Sequence, residues 1–211
     1  MKNSILLLVF FFVSFSISAQ DGAYQQAMGK AMTEFGQAKT AEGFKSASNS
    51  FARIAENNQG QYLPDYYAAL TLITQTFYMK DAAERDAIAD KALKHIEAAE
   101  KLSPENDELE VLRGFALTAK MVVDPASRGQ KYSPMIAMHY GKAMQMDPEN
   151  PRAAAMMARN ELGMAQFFGS EPTKACALAQ KSIGLFEKEK VEGFSPSWGK
   201  DTALEVAAAC K

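Results

Sequence analysis

Residues 102–106 read Leu-Ser-Pro-Glu-Asn, and residues 146–150 read Met-Asp-Pro-Glu-Asn. The two pentapeptides are near copies, and each joins a side chain that can cap a helix to a proline suited to the first helical turn. Pro64 and Pro196 extend the series, so that such prolines recur at intervals of 40, 44 and 48 residues. An interval this regular predicts a repeated structural unit.

The residues between these prolines favour helices over strands. Ala, Leu, Met, Lys, Glu and Gln, which have high helix propensity, dominate the chain, and almost no stretch alternates apolar and polar residues. Asp81 and Glu84 have the spacing of a capping box and precede apolar residues at helical intervals. The sequence therefore predicts an all-α fold.

The pattern predicts eight helices in pairs, followed by a ninth that caps the exposed apolar face of the last pair. A long loop is expected over residues 121–133 and another over residues 190–198. Helix starts are expected at the prolines that follow Ser, Asp or Asn, namely Pro104, Pro148, Pro151 and Pro196. The approximate helix bounds are 22–35 and 41–57, 65–79 and 82–102, 106–121 and 134–146, 150–168 and 171–188, and 199–210.

Three of the repeated units share a pattern of three apolar residues. The first is Ala or Ile, the second, four positions later, is aromatic or Ile, and the third, three positions after that, is Ala or Ile. The three sets are Ala47, Phe51 and Ile54; Ala92, Ile96 and Ala99; and Ile136, Tyr140 and Ala143. In these positions the chain resembles the tetratricopeptide repeat family, in degenerate form and with units longer than the usual 34 residues. Leu112 and Gly114 also lie near the Leu-Gly pair that this family carries in the first helix of a repeat. A plain helical bundle is the alternative.

The resemblance implies an α-solenoid of about four helix-turn-helix repeats with a C-terminal capping helix. It also implies a non-catalytic interaction or scaffold module that binds a polypeptide in the concave groove lined by the first helices. At the positions where the family clamps a C-terminal carboxylate, only Arg152 is of the right type, which argues against such a clamp. The groove candidates are Thr71, Gln75, Tyr78, Glu108, Val111, Phe115, Arg152, Arg159 and Asn160.

The N-terminus predicts export. Lys2 precedes an apolar run over residues 5–13, which small and polar residues follow. The run is shorter than the roughly 20 residues of a spanning helix, so a signal peptide over residues 1–19 is favoured over a membrane anchor. The mature domain, residues 20–211, is then expected in the periplasm or outside the cell, with no membrane span.

The two cysteines, Cys176 and Cys210, predict a structural disulfide. An even number of cysteines in an oxidising compartment favours pairing, and the chain has no C-x-x-C spacing for a redox pair or zinc site. The bond would tie the last helix to the helix that carries Cys176.

Composition excludes several classes of protein. With 47% hydrophobic and 23% charged residues, the chain is globular rather than disordered. The formal net charge is −2, so no basic field is present to attract nucleic acid.

Candidates for chemistry are few. His95 is expected to face solvent, as are carboxylates such as Glu108 and Glu110. Eight of the twelve methionines lie between Met121 and Met164, around His139. Core packing explains such a cluster, and a peptide groove or a soft Cu(I) ion are the alternatives.

No catalytic, phosphate-binding or zinc motif is present, so we expect no enzyme, cofactor or bound metal. A carrier of copper or a small ligand is the alternative function, and a hydrolase is a weaker one.

Overall fold

A computed structural model describes residues 22–210, which form nine helices and no strand. The predicted all-α class is confirmed, whereas the predicted signal peptide lies outside the described residues. In chain order the helices are α1 (22–37), α2 (Ala41–Asn57), α3 (Leu63–Thr76), α4 (Ala82–Leu102), α5 (Asp107–Met121), α6 (Pro125–Met146), α7 (Pro151–Phe168), α8 (Thr173–Phe186) and α9 (Lys200–Ala208).

Asparagine, rather than proline, begins the helix after each of the two near-copy pentapeptides. The side chain of Asn106 accepts a hydrogen bond from the backbone N–H of Leu109 and caps α5. Asn150 accepts one from the N–H of Ala153 at 2.9 Å and caps α7. The Asn side chain satisfies an N–H group that the helix leaves free, so the helix starts after it. Of the prolines expected at helix starts, only Pro151 lies there, and Pro104, Pro148 and Pro196 precede their helices.

The helices pack in two layers. Each helix from α2 onward contacts the next one along the chain, and α3, α5, α7 and α9 also contact one another in turn. Every residue of the three sets with tetratricopeptide spacing is buried. Gly114 permits a close approach between layers, because a Cβ atom there would lie 2.4 Å from the ring of Tyr140.

A disulfide attaches the C-terminal end of the chain to α8. Cys176 on α8 and Cys210 after α9 form a disulfide with Cα atoms 5.8 Å apart, which confirms the predicted pairing. Ala203 and Val206 of α9 are buried, and Val206 belongs to a small apolar core with residues of α7 and α8. Helix α9 therefore has a fixed position against both neighbours.

Candidate functional site

The first half of α6 forms one wall of an apolar cavity, although the sequence predicted a loop over residues 121–133. That loop prediction is wrong, because only residues 122–124 connect α5 to α6. Asp124 caps the helix by accepting a hydrogen bond from the N–H of Ser127, and Pro125 occupies the first turn. Local capping therefore starts the helix one turn beyond α5.

Arg128 anchors this half of α6 to the rest of the molecule. Its guanidinium donates hydrogen bonds of 2.7 and 2.8 Å to the carboxylate of Asp86 on α4, and one of 2.9 Å to the carbonyl of Lys120. The hydrogen bonds from Arg128 hold the pKa of Asp86 below its ordinary value of 3.8. This two-point ion pair fixes the helical segment against α4.

Pro134 lies inside α6 and faces the cavity. A proline has no N–H, so it donates no helical hydrogen bond to the carbonyl of Gln130, one turn earlier. Gln130 also lines the cavity. The regular helical hydrogen bond from residue 134 to residue 130 is therefore missing in this wall.

The C-terminal half of α7 forms the opposite wall and ends in two exposed aromatic residues. Phe167 is 63% exposed and Phe168 is 72% exposed, and their rings meet edge to face at 5.1 Å. Gly169 ends the helix in the left-handed conformation, at φ 66°, which glycine adopts without strain. The helix end therefore leaves two large apolar side chains at the rim of the cavity.

The cavity between α5, α6 and α7 has a volume of about 870 Å³. It is larger than the depressions between α1 and α2 (500 Å³) and beside Arg152 (420 Å³). Its size falls within the range of about 300–1,000 Å³ that is common for small-molecule sites. Its lining, mostly apolar, consists of Met121, Val122, Pro125, Ala126, Gly129, Gln130, Ser133, Pro134, Arg159, Asn160, Gly163, Met164, Gln166, Phe167 and Phe168.

The polar groups of the cavity are few. Arg159 is the one charged residue of the lining, and its guanidinium donates a hydrogen bond to Glu205 on α9. Ser133 donates to the sulfur of Met121 at 3.3 Å, and Asn160 donates to the sulfur of Met164 at 3.8 Å. The cavity thus offers a large apolar surface, two thioethers and one cation.

Two of the residues predicted to line a groove, Phe115 and Arg152, are contacted by a later part of the chain itself. Residues 187–199, which we call the return segment, run from α8 back across α3 and α5. The indole N–H of Trp198 donates to the Tyr66 hydroxyl at 2.7 Å, and the Tyr67 hydroxyl donates to the Phe194 carbonyl at 2.8 Å. The Trp198 ring also stacks on Phe115 at 5.8 Å.

Two of the groove candidates form a buried ion pair. Arg152 is 5% exposed, and its Nε atom donates to Glu108 at 2.6 Å, while its Nη2 atom donates to Glu189 of the return segment at 2.5 Å. Burial lowers the pKa of Arg152, but the two carboxylates outweigh this effect and raise it. Glu108 also accepts from Tyr66 and Asn150. The expectation that Glu108 is solvated is therefore wrong.

The other groove candidates are dispersed among the interior, the surface and the cavity. Thr71 and Val111 have no exposed surface, and Gln75 is buried with its side-chain oxygen unpaired. Tyr78 is half exposed and packs on Phe44. Only Arg159 and Asn160 reach the cavity, so the structure does not bring the predicted set together in one open surface.

Both histidines contact carboxylates away from the cavity. His95 lies 2.7 Å from Asp65 and is partly buried, which contradicts the prediction that it faces solvent. His139 lies 2.7 Å from Glu110, which also binds Lys142 at 2.6 Å. Burial raises the pKa of Glu110, but hydrogen bonds from Lys142 and His139 lower it below its ordinary value of 4.5. Glu110 is buried, so its predicted solvation is also wrong.

Within residues 22–210, no three His, Cys, Asp or Glu side chains come close enough to hold a metal ion. None of the helices in that range is long and apolar enough to cross a membrane.

The chain is similar in structure to the HusA haemophore from Porphyromonas gingivalis. The TM-score is 0.79 at 27% sequence identity, and the match covers 89% of this chain and 92% of that chain. No protein-family model matches the sequence, and neither does any curated protein sequence. The shared fold therefore extends over nearly the whole chain.

The methionine cluster was the sequence signal closest to this site. Of its eight members, Met121 and Met164 line the cavity, whereas Met156 and Met157 are buried in the core. Phe167 and Phe168 were a further signal in the sequence, which the predictions did not use. Two adjacent phenyl rings at a helix end cannot both be buried by one neighbour, so such a pair indicates an exposed apolar surface.

Proposed function

We propose that this protein is an exported, non-catalytic carrier that binds haem or a closely related tetrapyrrole in the cavity between α5, α6 and α7. The observation that carries the proposal is the apolar cavity with Phe167 and Phe168 at its rim. The likeness to a haemophore along nearly the whole chain supports it.

The chemistry of the lining suits a tetrapyrrole. A flat, apolar macrocycle gains most of its binding energy from apolar contact, and aromatic rings at the rim extend that contact. The sulfurs of Met121 and Met164 are of a type that ligates haem iron, and no histidine lines the cavity. Apolar burial, with thioether sulfur as the available iron ligand, is therefore the binding mode that these residues favour.

The disulfide and the predicted signal peptide support an extracytoplasmic location, where disulfides form and persist. We further propose that the two helical layers are a degenerate tetratricopeptide-like solenoid. The buried motif positions and the contacts among α3, α5, α7 and α9 support this proposal.

Filling the cavity tests the proposed function. A Cβ atom added at Gly163, which lines the cavity, would meet no atom within 4 Å, and the same holds for Gly184 on α8 outside it. We expect Gly163→Trp to abolish the shift in the haemin absorption spectrum on titration, and Gly184→Trp to bind like wild type. Equal binding by both variants would exclude this cavity as the haem site.

Copper transport is the second candidate, because two methionines line one cavity. Replacing Met121 and Met164 by Leu preserves volume and removes both sulfurs. If the protein is a copper carrier, this double variant should lose Cu(I) binding. If it is a tetrapyrrole carrier, haemin affinity should fall by less than about tenfold, because apolar contact dominates.

A polypeptide partner remains a prediction, and such a partner would have to displace the return segment.

A further inference from the structure

The cavity contains one charged group, Arg159, and this group already has a partner. Its guanidinium donates to the carboxylate of Glu205, and both side chains are substantially exposed, at 43% and 66%. An exposed ion pair of this kind contributes little to stability. The pair can therefore open at little cost when another carboxylate arrives.

The position of Glu205 is fixed by α9. Val206, the next residue, is buried against α7 and α8, and the disulfide from Cys210 holds the end of the helix to Cys176. Glu205 consequently stays beside Arg159 whether or not a ligand enters the cavity. A ligand carboxylate at Arg159 must compete with Glu205 for the guanidinium N–H groups.

We infer that Arg159 is the specificity residue that selects ligands bearing a carboxylate, and that Glu205 is a built-in competitor that weakens their binding. The inference rests on the proposed function, because a tetrapyrrole such as haem carries two propionate groups on an apolar ring. A carrier must also release its cargo. A carboxylate that remains beside the ligand-binding cation keeps the affinity below the maximum that the cavity could provide.

The test compares two probes with the same macrocycle, protoporphyrin IX and its dimethyl ester, in which both carboxylates are converted to uncharged methyl esters. Fluorescence titration of the full chain gives the affinity for each. We expect Glu205→Gln to raise the affinity for the diacid about two- to fivefold, the range that an exposed ion pair implies, and to leave the diester unchanged. Arg159→Gln should lower the affinity for the diacid about tenfold, again without effect on the diester.

Glu161→Gln is the matched control. Glu161 also lies on an ion pair between neighbouring helices, with Lys174, and it does not line the cavity. The substitution changes the net charge by the same amount as Glu205→Gln, so a general electrostatic effect would raise the affinity for the diacid in both variants and would overturn the inference.

The double variant Arg159→Gln with Glu205→Gln separates competition from an independent effect. If Glu205 acts through Arg159, the double variant binds the diacid like Arg159→Gln alone. Equal affinities of wild type for diacid and diester, unchanged in every variant, would refute the inference and leave the proposed function standing. Failure of wild type to bind either probe would overturn both.

Discussion

Glu108 and Arg152 show how costly charges are placed inside this molecule. Both are buried, and each has more than one partner: Glu108 accepts from Tyr66, Asn150 and Arg152, and Arg152 also donates to Glu189. A buried charge is destabilising unless it is paired and hydrogen-bonded, and among the side-chain nitrogen and oxygen atoms of this pair only Arg152 Nη1 has no partner. The pair therefore joins α3, α5, α7 and the return segment at one point.

Loss of Arg152 should be far more damaging than loss of Arg159. Arg152→Met leaves Glu108 buried without its counter-ion, and we expect the free energy of unfolding to fall by about 3–5 kcal/mol. Arg159→Met removes an exposed pair and should cost at most about 1 kcal/mol. Urea denaturation of both variants measures the difference. If Arg152→Met remained within 1 kcal/mol of wild type, the ion pair would not have this role.

At the scale of elements, α6 depends on acidic residues of its neighbours. Asp86 on α4 binds Arg128 near its start, and Glu110 on α5 binds His139 and Lys142 near its end. Both carboxyl pKa values are lowered in the folded protein, from 3.8 and 4.5. A carboxyl group whose pKa is lower in the folded than in the unfolded state stabilises the fold at pH values above its unfolded-state pKa. This stabilisation is lost as the pH falls through the folded-state pKa.

Acid should therefore loosen α6. We expect amide exchange in α6 to increase relative to that in α2 as the pH is lowered from 5 toward 3, after correction for intrinsic exchange rates. The double variant Asp86→Asn with Glu110→Gln should show this increase already at pH 6. Glu42→Gln, at an exposed acid on α2, serves as the control and should leave α6 unchanged.

The disulfide acts on one helix. In the loop-entropy model, closure of the 34-residue loop contributes about 4 kcal/mol. Reduction, or replacement of both cysteines by serine, should raise amide exchange in α9 and leave α2 to α5 protected, because those helices are held by other contacts. A uniform rise in exchange along the chain would contradict this local role.

The helices themselves were predictable, but the cavity was not. Capping and apolar spacing are local properties, so α2 and α4 match their predicted bounds, and the motif residues from Ala47 to Ala143 are buried. Residues 125–133 contain Gly, Ser and a following proline; Asp124 and Pro125 start the helix locally, and Arg128 fixes it against α4 by binding Asp86, 42 residues away. The cavity depends on that long-range contact, which no local pattern encodes.

At the scale of the whole molecule, ligand binding should stabilise the fold. A ligand that binds only the folded state at a hundred times its Kd adds about 2.7 kcal/mol to the free energy of unfolding. For a chain of this size, haemin should then raise the Tm by about 5–10 °C. Differential scanning fluorimetry of wild type and Gly163→Trp measures this, and an equal rise in both would mean that haemin binds elsewhere.

The return segment also changes how the chain must fold. In an ordinary helical array, each unit contacts only its neighbours, so folding can start anywhere and spread. Here the hydrogen bonds from Tyr67 to Phe194 and from Trp198 to Tyr66 span 127 and 132 residues. During synthesis, the aromatic surface of α3 and α5 must therefore wait, uncovered, until almost the entire chain has left the ribosome. A nascent protein of this design is exposed to aggregation for most of its synthesis, because this surface is covered only once the return segment has been made.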